Sequence, residues 1–159
     1  PVTAIAFQPT SNHILASGSE DGVLIFWNVL KAEQIGAPIT AHDGAINALS
    51  FSMDGLLVAT GGSDRQISLR DAWAHKQIGP KLEVHTDQVT ALSFSPNSYT
   101  LASGSADGSV FLWDLDIENW QKTICEKIVQ KLTPREWELY MGEFLPYQNE
   151  CGVTQSVSQ

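Results

Sequence analysis

The chain has 159 residues with 9 basic and 18 acidic side chains, which gives a formal net charge of −9. This acidic balance argues against a nucleic-acid-binding protein, because a phosphate backbone is recognised by clustered Lys and Arg. The sequence has no run of 18 apolar residues and no basic-then-apolar start, so we expect no membrane span and no signal peptide.

The sequence repeats itself with a period of 43 residues. Two sets of polar residues recur at this spacing, namely Asp21, Asp64 and Asp107, and Ser17, Thr60 and Ser103. Three copies of one unit indicate a repeat architecture, in which neighbouring units bury a continuous core. The described period covers about residues 1–116.

The first repeat contains four strand-length runs rich in β-branched and aromatic residues, at 2–7, 14–18, 23–29 and roughly 34–40. Turn residues separate the runs, so each unit is predicted to be a four-stranded antiparallel meander. Both faces of residues 2–7 are apolar, and such a strand needs cover on both sides. Stacked sheets provide that cover, and the Ala, Ser and Gly of the first two strands suit the crowded inner radius of a radial array.

The link between the second and third strands is predicted to be a tight hairpin. Asp21-Gly22 and Asp107-Gly108 accept the positive φ of a two-residue turn. Arg65 replaces the glycine in the second repeat. A left-handed Arg costs on the order of 1 kcal/mol, so we expect that this turn is either rebuilt or carries a function.

These residues give a family resemblance to WD repeats, units named for a Gly-His near the start and a Trp-Asp near the end. The third repeat ends in Trp113-Asp114, the first has Trp27-Asn28, and His42 and His85 hold the His position. The resemblance implies an all-β fold, a partial β-propeller of three four-stranded antiparallel blades. The expected blades are about 1–40, 41–83 and 84–116.

In that family a His, a Ser or Thr, an Asp and a Trp form a hydrogen-bonded chain that pins each blade. The resemblance implies the same structural role for one group of residues in each repeat. These are His85, Ser103, Asp107 and Trp113 in the third repeat, His42, Thr60 and Asp64 in the second, and Ser17, Asp21 and Trp27 in the first. Arg70 stands where the second repeat should have Trp. We expect Arg70 to fork onto Asp64 or to reach solvent, or simply to mark a degenerate, less stable repeat.

After Asp116 the apolar period changes to that of a helix, predicted over about 117–131. Thr133-Pro134-Arg135-Glu136 is a capping box that predicts a second, short helix ending near Gly142. The tail, 117–152, is expected to pack on the last blade, and 153–159 to be disordered. It resembles the helical tail that follows the last WD repeat of large bacterial proteins, in which the propeller sits behind a NACHT-type ATPase or a kinase.

Three blades leave open edges, since propellers close with about 4 to 8 blades. Because the chain begins without Met inside a strand, the sequence predicts a fragment of a longer cytoplasmic protein, with further blades N-terminal to it. The third repeat shows no convincing fourth strand, and an N-terminal strand is expected to complete it.

The usual motifs of enzymes are missing, including a Gly-x-Ser-x-Gly elbow, a His-Glu-x-x-His helix and a Walker A loop. His13 and His75 lie in turns or loops, and none of the four histidines has ligand spacing, so we expect no metal and no cofactor. Cys125 and Cys151 could meet as a disulfide, but reduced, buried packing is the expectation in a cytoplasmic protein.

The sequence therefore favours a non-catalytic platform that binds a protein or peptide through its rim loops. The candidate contacts are the exposed residues that differ between otherwise repeated turns: Glu20, Asp43, Arg65, Gln66, Thr86, Asp87 and Gln88. Trp73 is a further candidate, although an aromatic residue there is more often packing. The alternative function is an enzyme with its active site in the central channel or a rim cleft, which would need a base beside a nucleophile.

Overall fold

The first repeat folds into one four-stranded antiparallel sheet in a computed structural model, which describes residues 1–11, 13–97 and 99–116. Its strands are β1 (Val2–Phe7), β2 (Ile14–Ser19), β3 (Val23–Asn28) and β4 (Glu33–Thr40), hydrogen-bonded in that order. The four strands predicted for this repeat are confirmed. The predicted helices, the tail end and both cysteines lie outside the described residues.

The second and third repeats form two further antiparallel sheets. The second contains β5 (Ile46–Phe51), β6 (Leu57–Gly62) and β7 (Ile67–Asp71), and the third contains β8 (Val89–Phe94), β9 (Thr100–Ser105) and β10 (Val110–Asp114). In both sheets the strands pair in chain order, as a meander does. The described part of the chain is thus all-β.

The prediction of a fourth strand is wrong for the second repeat, where the described residues form only three. The segment after β7 pairs with it through isolated bridges, Ile67 with Leu82 and Arg70 with Gln77. Between these bridges Gly79 has a φ of 67° and is followed by Pro80, which has no N–H to donate. This pair interrupts the ladder. In the third repeat, the residues that would form a fourth strand lie outside the described ranges.

Buried apolar side chains fill the spaces between neighbouring sheets. Phe26 from the first sheet and Phe51 from the second belong to one cluster, with their rings edge to face and their centroids 6.4 Å apart. Leu69 from the second sheet and Val89 from the third belong to another. The sheets therefore pack face to face in chain order. The described residues contain no helix that is long and apolar enough to span a bilayer.

Glycines in the second strands permit this close packing. A Cβ added to Gly18 would lie 2.5 Å from the side chain of Ile46, and one added to Gly61 would lie 2.5 Å from that of Val89. Both distances are far below a van der Waals contact, so only glycine fits at these positions. This agrees with the predicted crowding of the first two strands of each repeat.

Candidate functional site: the loop rim and the polar chains beneath it

In the second blade, three predicted residues meet in one buried hydrogen-bonded chain. His42 Nδ1 lies 2.8 Å from a carboxylate oxygen of Asp64, and His42 Nε2 lies 2.9 Å from the hydroxyl of Thr60. Because a carboxylate only accepts, His42 donates its Nδ1–H to Asp64 and accepts from Thr60 through Nε2. Burial lowers the pKa of His42, against the opposing effect of Asp64, so the ring is neutral at pH 7.

The third blade contains a longer chain that passes through a residue the sequence analysis missed. Trp113 Nε1 donates to the Ser103 hydroxyl at 2.9 Å, and that hydroxyl lies 2.8 Å from His85 Nε2. His85 Nδ1 lies 3.6 Å from Asp107 but 3.0 Å from the hydroxyl of Ser109, which itself bonds Asp107 at 2.5 Å. The predicted residues are therefore joined in one chain, but Ser109 bridges its last step.

Sequence repetition gave no signal for Ser109. Its positions in the other two repeats hold Val23 and Gln66, so no hydroxyl recurs there. In the structure, the side-chain and backbone bonds from Ser109, followed by the backbone bond from Thr86, hold the pKa of Asp107 well below its usual range. Asp107 is therefore a fixed negative charge at the end of the chain.

The first blade has the shortest version of this arrangement. Trp27 Nε1 donates to the Ser17 hydroxyl at 2.8 Å. Asp21 bonds locally, since it accepts from the hydroxyl of Ser19 and from the N–H of Val23. Two of the three residues predicted here are thus joined to each other, and Asp21 instead shapes its own turn.

Two of the three expectations for Arg70 are wrong, because its side chain neither bonds Asp64 nor reaches solvent, whereas a degenerate, less stable repeat stays a prediction. It is 8% exposed, its Nη1 donates to the carbonyl of His75 at 3.4 Å, and its Nε has no partner in the described structure. Burial lowers the pKa of Arg70. The ring of His75 stacks on Phe26 of the first blade, with centroids 4.2 Å apart. Arg70 therefore supports the loop that links these two blades.

The carboxylates at the ends of these chains also hold the loops that precede each first strand. Asp64 accepts the backbone N–H of Asp43 at 3.2 Å, and Asp107 accepts that of Thr86 at 2.8 Å. The backbone of each loop is therefore held in place by the polar chain of its blade. The buried residues fix the backbone, and the loop side chains remain free to differ.

Arg65 takes the left-handed conformation that the turn requires. Its φ is 69°, close to the 79° of Gly22 and the 84° of Gly108. Its N–H also bonds the residue three positions earlier at 3.2 Å, as the N–H of Gly22 does. The turn is therefore not rebuilt, and of the two expectations for Arg65, a functional role stays a prediction.

The seven predicted contact residues lie in the turns between second and third strands and in the links before first strands, which share one edge of the sheets. Backbone hydrogen bonds join the turns to the links, for example from Ala41 N–H to Gly22 and from Ser63 N–H to Ala45. We call these residues the loop rim; they are Glu20, Asp43, Arg65, Thr86, Asp87 and Gln88, which are exposed, and Gln66, which is half-buried. Two carboxamides are engaged locally, Gln66 with Glu83 at 2.6 Å and Gln88 with Asn47 at 3.3 Å.

Trp73 belongs to the opposite edge. It follows β7, where the backbone of Ala72 bonds Leu56 in the turn between β5 and β6. The indole is 60% exposed, so it is not packed in a core as an aromatic residue there usually is. Trp73 therefore does not extend the loop rim.

The described residues contain no group of three or more His, Cys, Asp and Glu side chains arranged to hold a metal ion. His42 and His85 are committed to the polar chains, and His75 to its stack on Phe26. These three histidines therefore have structural contacts in the described part of the chain.

The sequence profile of the family described as "WD domain, G-beta repeat" matches residues 1–28, 34–71 and 77–114. The chain belongs to this WD-repeat family. Two solved structures are similar to it: "Structure of U3-55K" at 23% sequence identity and "Crystal structure of RRP9 WD40 repeats" at 24%. Both have a TM-score of 0.68. Each similarity covers 72% of this chain, and 36% and 35% of those chains respectively. At this identity the match shows the fold alone.

Three curated relatives each match less than half of this chain. Nuclear distribution protein PAC1 of Komagataella phaffii is 39% identical over 83 residues, which is 45% of this chain. DNA damage-binding protein 2 and Protein TOPLESS-RELATED PROTEIN 2, both of Oryza sativa subsp. japonica, are 36% and 31% identical over 44% and 41% of the chain. These matches span only 16%, 12% and 6% of the relatives' own lengths.

Proposed function

We propose that this WD-repeat chain is a non-catalytic platform that binds a protein or peptide through the loop rim. The observation that carries the proposal is the double role of Asp64 and Asp107. Each carboxylate ends a polar chain inside its blade and also fixes the backbone of a rim loop. A rigid frame with differing loop side chains is the arrangement that binding proteins use.

The polar chain of the second blade has the composition of a catalytic triad but not the exposure that one needs. Asp64, His42 and Thr60 are hydrogen-bonded in the same order as a catalytic triad. However, the side chain of Thr60 is fully buried and that of His42 nearly so. A nucleophile must meet its substrate, and this hydroxyl is enclosed between sheets. The three residues are therefore used to hold the blade together.

The charges of the loop rim indicate the type of partner. Glu20, Asp43 and Asp87 are exposed carboxylates, and Arg65 is an exposed cation among them. A partner with mainly basic and some acidic groups would match this pattern and associate faster at low salt. The resemblance of residues 117–152 to the tails of large bacterial WD-repeat proteins supports a further part of the proposal, that this chain belongs to a larger bacterial signalling or regulatory protein of the cytoplasm, behind a NACHT-type ATPase or kinase.

The experiment that tests the binding surface is selection of peptides from a displayed random library against the immobilised chain. The selected peptides are then measured against a variant with Glu20, Arg65 and Gln88 changed to Ala. We expect binding to fall at least about tenfold, the equivalent of about 1.4 kcal/mol. The matched control changes Leu30, Lys31 and Trp73, on the opposite edge, to Ala and should bind normally. Peptides that bind both variants equally would refute the rim as the site.

A further inference from the structure

The edge opposite the loop rim carries large exposed apolar side chains in the second blade. Met53 and Leu56, in the turn between β5 and β6, are 56% and 53% exposed, and Trp73, after β7, is exposed to a similar extent. The backbone N–H of Ala72 donates to the carbonyl of Leu56 at 2.8 Å, so the two loops lie side by side. We call Met53, Leu56 and Trp73 the apolar edge.

The repeat pattern does not explain these apolar side chains. In the first blade, His13 takes the place of Leu56 in the backbone bond to the end of the third strand. In the 43-residue period, Asp116 takes the place of Trp73 in the third blade. A polar residue therefore meets the needs of a blade at each position. Neighbouring exposed apolar side chains that the fold does not require typically mark an interaction surface.

Hydrogen bonds fix the backbone that presents the apolar edge. One carboxylate oxygen of Asp71 accepts the N–H groups of Trp73 and Ala74, at 2.8 and 2.7 Å. Asp54 accepts the N–H of Leu56 at 3.0 Å. A loop that is already fixed loses little further freedom when a partner covers it, so less of the binding free energy is spent on ordering. The apolar edge is therefore organised before a partner binds.

Cations without a carboxylate partner lie in the same loops. Arg70 lies near the end of β7, and Lys76 lies in the loop that follows it. Lys31 lies in the corresponding loop of the first blade. Among the described residues, none of these three cations forms an ion pair. Because the carboxylates of Asp54 and Asp71 bond backbone N–H groups, a carboxylate brought by a partner would meet cations that have no counter-charge.

The acidic loop rim is too far away to repel such a partner. β6 runs from one edge to the other with six residues, which span roughly 20 Å at about 3.3 Å per residue. Charges separated by more than a Debye length are largely screened, and this length is about 8 Å at physiological salt. A partner at the apolar edge is therefore attracted or repelled mainly by the charges of that edge.

We propose that the apolar edge binds a second protein segment, in which a large apolar side chain stands close to a carboxylate. The apolar side chain packs on Leu56 and Trp73, and the carboxylate pairs with Lys76. Tryptophan on a fixed backbone suits this role, because Trp is enriched among the residues that dominate binding energy at interfaces. This inference goes beyond the rim-binding function, since the charges of the loop rim favour a mainly basic partner.

The test selects peptides from a displayed random library on the full 159-residue chain with the rim substitutions at Glu20, Arg65 and Gln88, so that rim ligands do not compete. The selected peptides should share a large apolar residue within a few positions of Asp or Glu. Trp73→Ala should weaken their binding at least about tenfold. The matched control, Val84→Ala, shortens an exposed apolar side chain beside the loop rim and should leave binding unchanged.

Charge reversal tests the carboxylate. Lys76→Glu should weaken binding roughly two- to fivefold, as expected for an exposed ion pair, whereas Lys76→Arg should retain it. Changing the acidic residue of the peptide to its amide should cause a similar loss on the unaltered edge. On the Lys76→Glu chain the amide peptide should bind no worse than the acidic one, because the pair is already lost.

Four results would overturn the proposal. No peptide is enriched on the rim variant. The enriched peptides bind the Trp73→Ala chain as well as before. Binding depends on Trp73 but not on the carboxylate of the peptide. The chain sediments with vesicles of phosphatidylcholine and phosphatidylserine, and Trp73→Ala abolishes this, which would assign the edge to a lipid surface. Because the selection uses a chain with an altered rim, each result is independent of whether the loop rim binds.

Discussion

His42 and Asp64 are in direct contact at 2.8 Å, whereas the matching pair in the next blade, His85 and Asp107, is 3.6 Å apart and joined through Ser109. The same pairing of His and Asp is therefore completed in two ways. In one blade the imidazole holds the carboxylate, and in the other a neighbouring hydroxyl does. The two carboxylates consequently depend on different donors, which substitutions can separate.

Substituting Ser109→Ala should raise the pKa of Asp107, because Ser109 supplies the largest contributions that lower it. A depressed carboxyl pKa stabilises the fold above the unfolded value of about 3.9, and this stability is lost as the pH falls through the folded value. The variant should therefore unfold at a higher pH on acidification. NMR titration of the Asp107 carboxyl carbon measures the shift. Ser105→Ala, which removes the weakest of the donors that lower this pKa, should move it less. An unchanged Asp107 titration in Ser109→Ala would refute the bridge.

Acidification should also destabilise the fold through His42. Burial lowers the pKa of this ring below 6.5, so the unfolded chain binds a proton that the folded chain resists. The contribution of neutral His42 is complete above about 6.5 and is lost as the pH falls towards the folded value. Urea unfolding between pH 7.5 and 5 should show this loss. Carboxyl groups contribute little in that range, because their unfolded pKa values are about 4. His42→Gln should reduce this pH dependence, and the part that remains belongs to His75, whose pKa burial also lowers. An unchanged profile in His42→Gln would contradict the prediction.

Ser103→Ala should cost more stability than Ser17→Ala. The Ser103 hydroxyl joins Trp113 to His85, whereas Ser17 accepts from Trp27 alone. A lost hydrogen bond costs about 1 kcal/mol, and each buried group left without a partner costs about 1 to 3 kcal/mol. We therefore expect a difference of at least about 1 kcal/mol between the variants in urea unfolding. Equal losses would mean that the longer chain adds nothing to the stability of the third blade.

The sequence predicted the repeating sheets because every residue in the pattern has a local reason to recur. Glycine turns, alternating strands and the Ser, His and Trp positions depend on contacts within one blade, and a 43-residue period exposes them. Ser109 was missed because its role depends on a blade in which Asp107 stands slightly away from His85. The fourth strand of the second blade was wrongly predicted because the repeat pattern was extended to this segment without regard to Gly79-Pro80, which interrupts the strand pairing.

The surroundings of Arg70 could not be read from the sequence either. Its side chain donates to the carbonyl of His75, and the ring of His75 stacks on Phe26 in another blade. A pattern within one repeat holds no information on such a contact between repeats. The same limit applies to the loop rim, where variation marks the candidate residues but only the backbone bonds of Asp64 and Asp107 show that the loops are fixed.

Arg70→Trp should stabilise the second blade. Arg70 is a buried cation with an unpartnered Nε, and its position holds Trp27 and Trp113 in the other blades, where the indole donates to a hydroxyl. Removing a desolvated charge and adding a donor to Thr60 should raise the free energy of unfolding by about 1 to 2 kcal/mol. Urea unfolding measures the change. Arg70→Lys keeps the charge and should give no gain; a loss in Arg70→Trp would show that the site cannot hold the larger ring.

Arg65→Gly should also raise the free energy of unfolding, and its effect has a mirror image at Gly108. Relief of the left-handed backbone is worth about 1 to 2 kcal/mol, and the greater freedom of glycine in the unfolded chain offsets about 0.4 to 1 kcal/mol of it. The net gain should be roughly 0.5 to 1 kcal/mol.

At Gly108, with a φ of 84°, an added Cβ meets nothing within 4 Å, so Gly108→Ala should cost a similar amount through the backbone alone. If Arg65→Gly gives no gain in urea unfolding while Gly108→Ala shows its loss, the Arg65 side chain makes stabilising contacts that offset the strain. If Arg65→Gly is more stable and also loses binding to the selected peptides, the strain at Arg65 is retained for recognition at the loop rim.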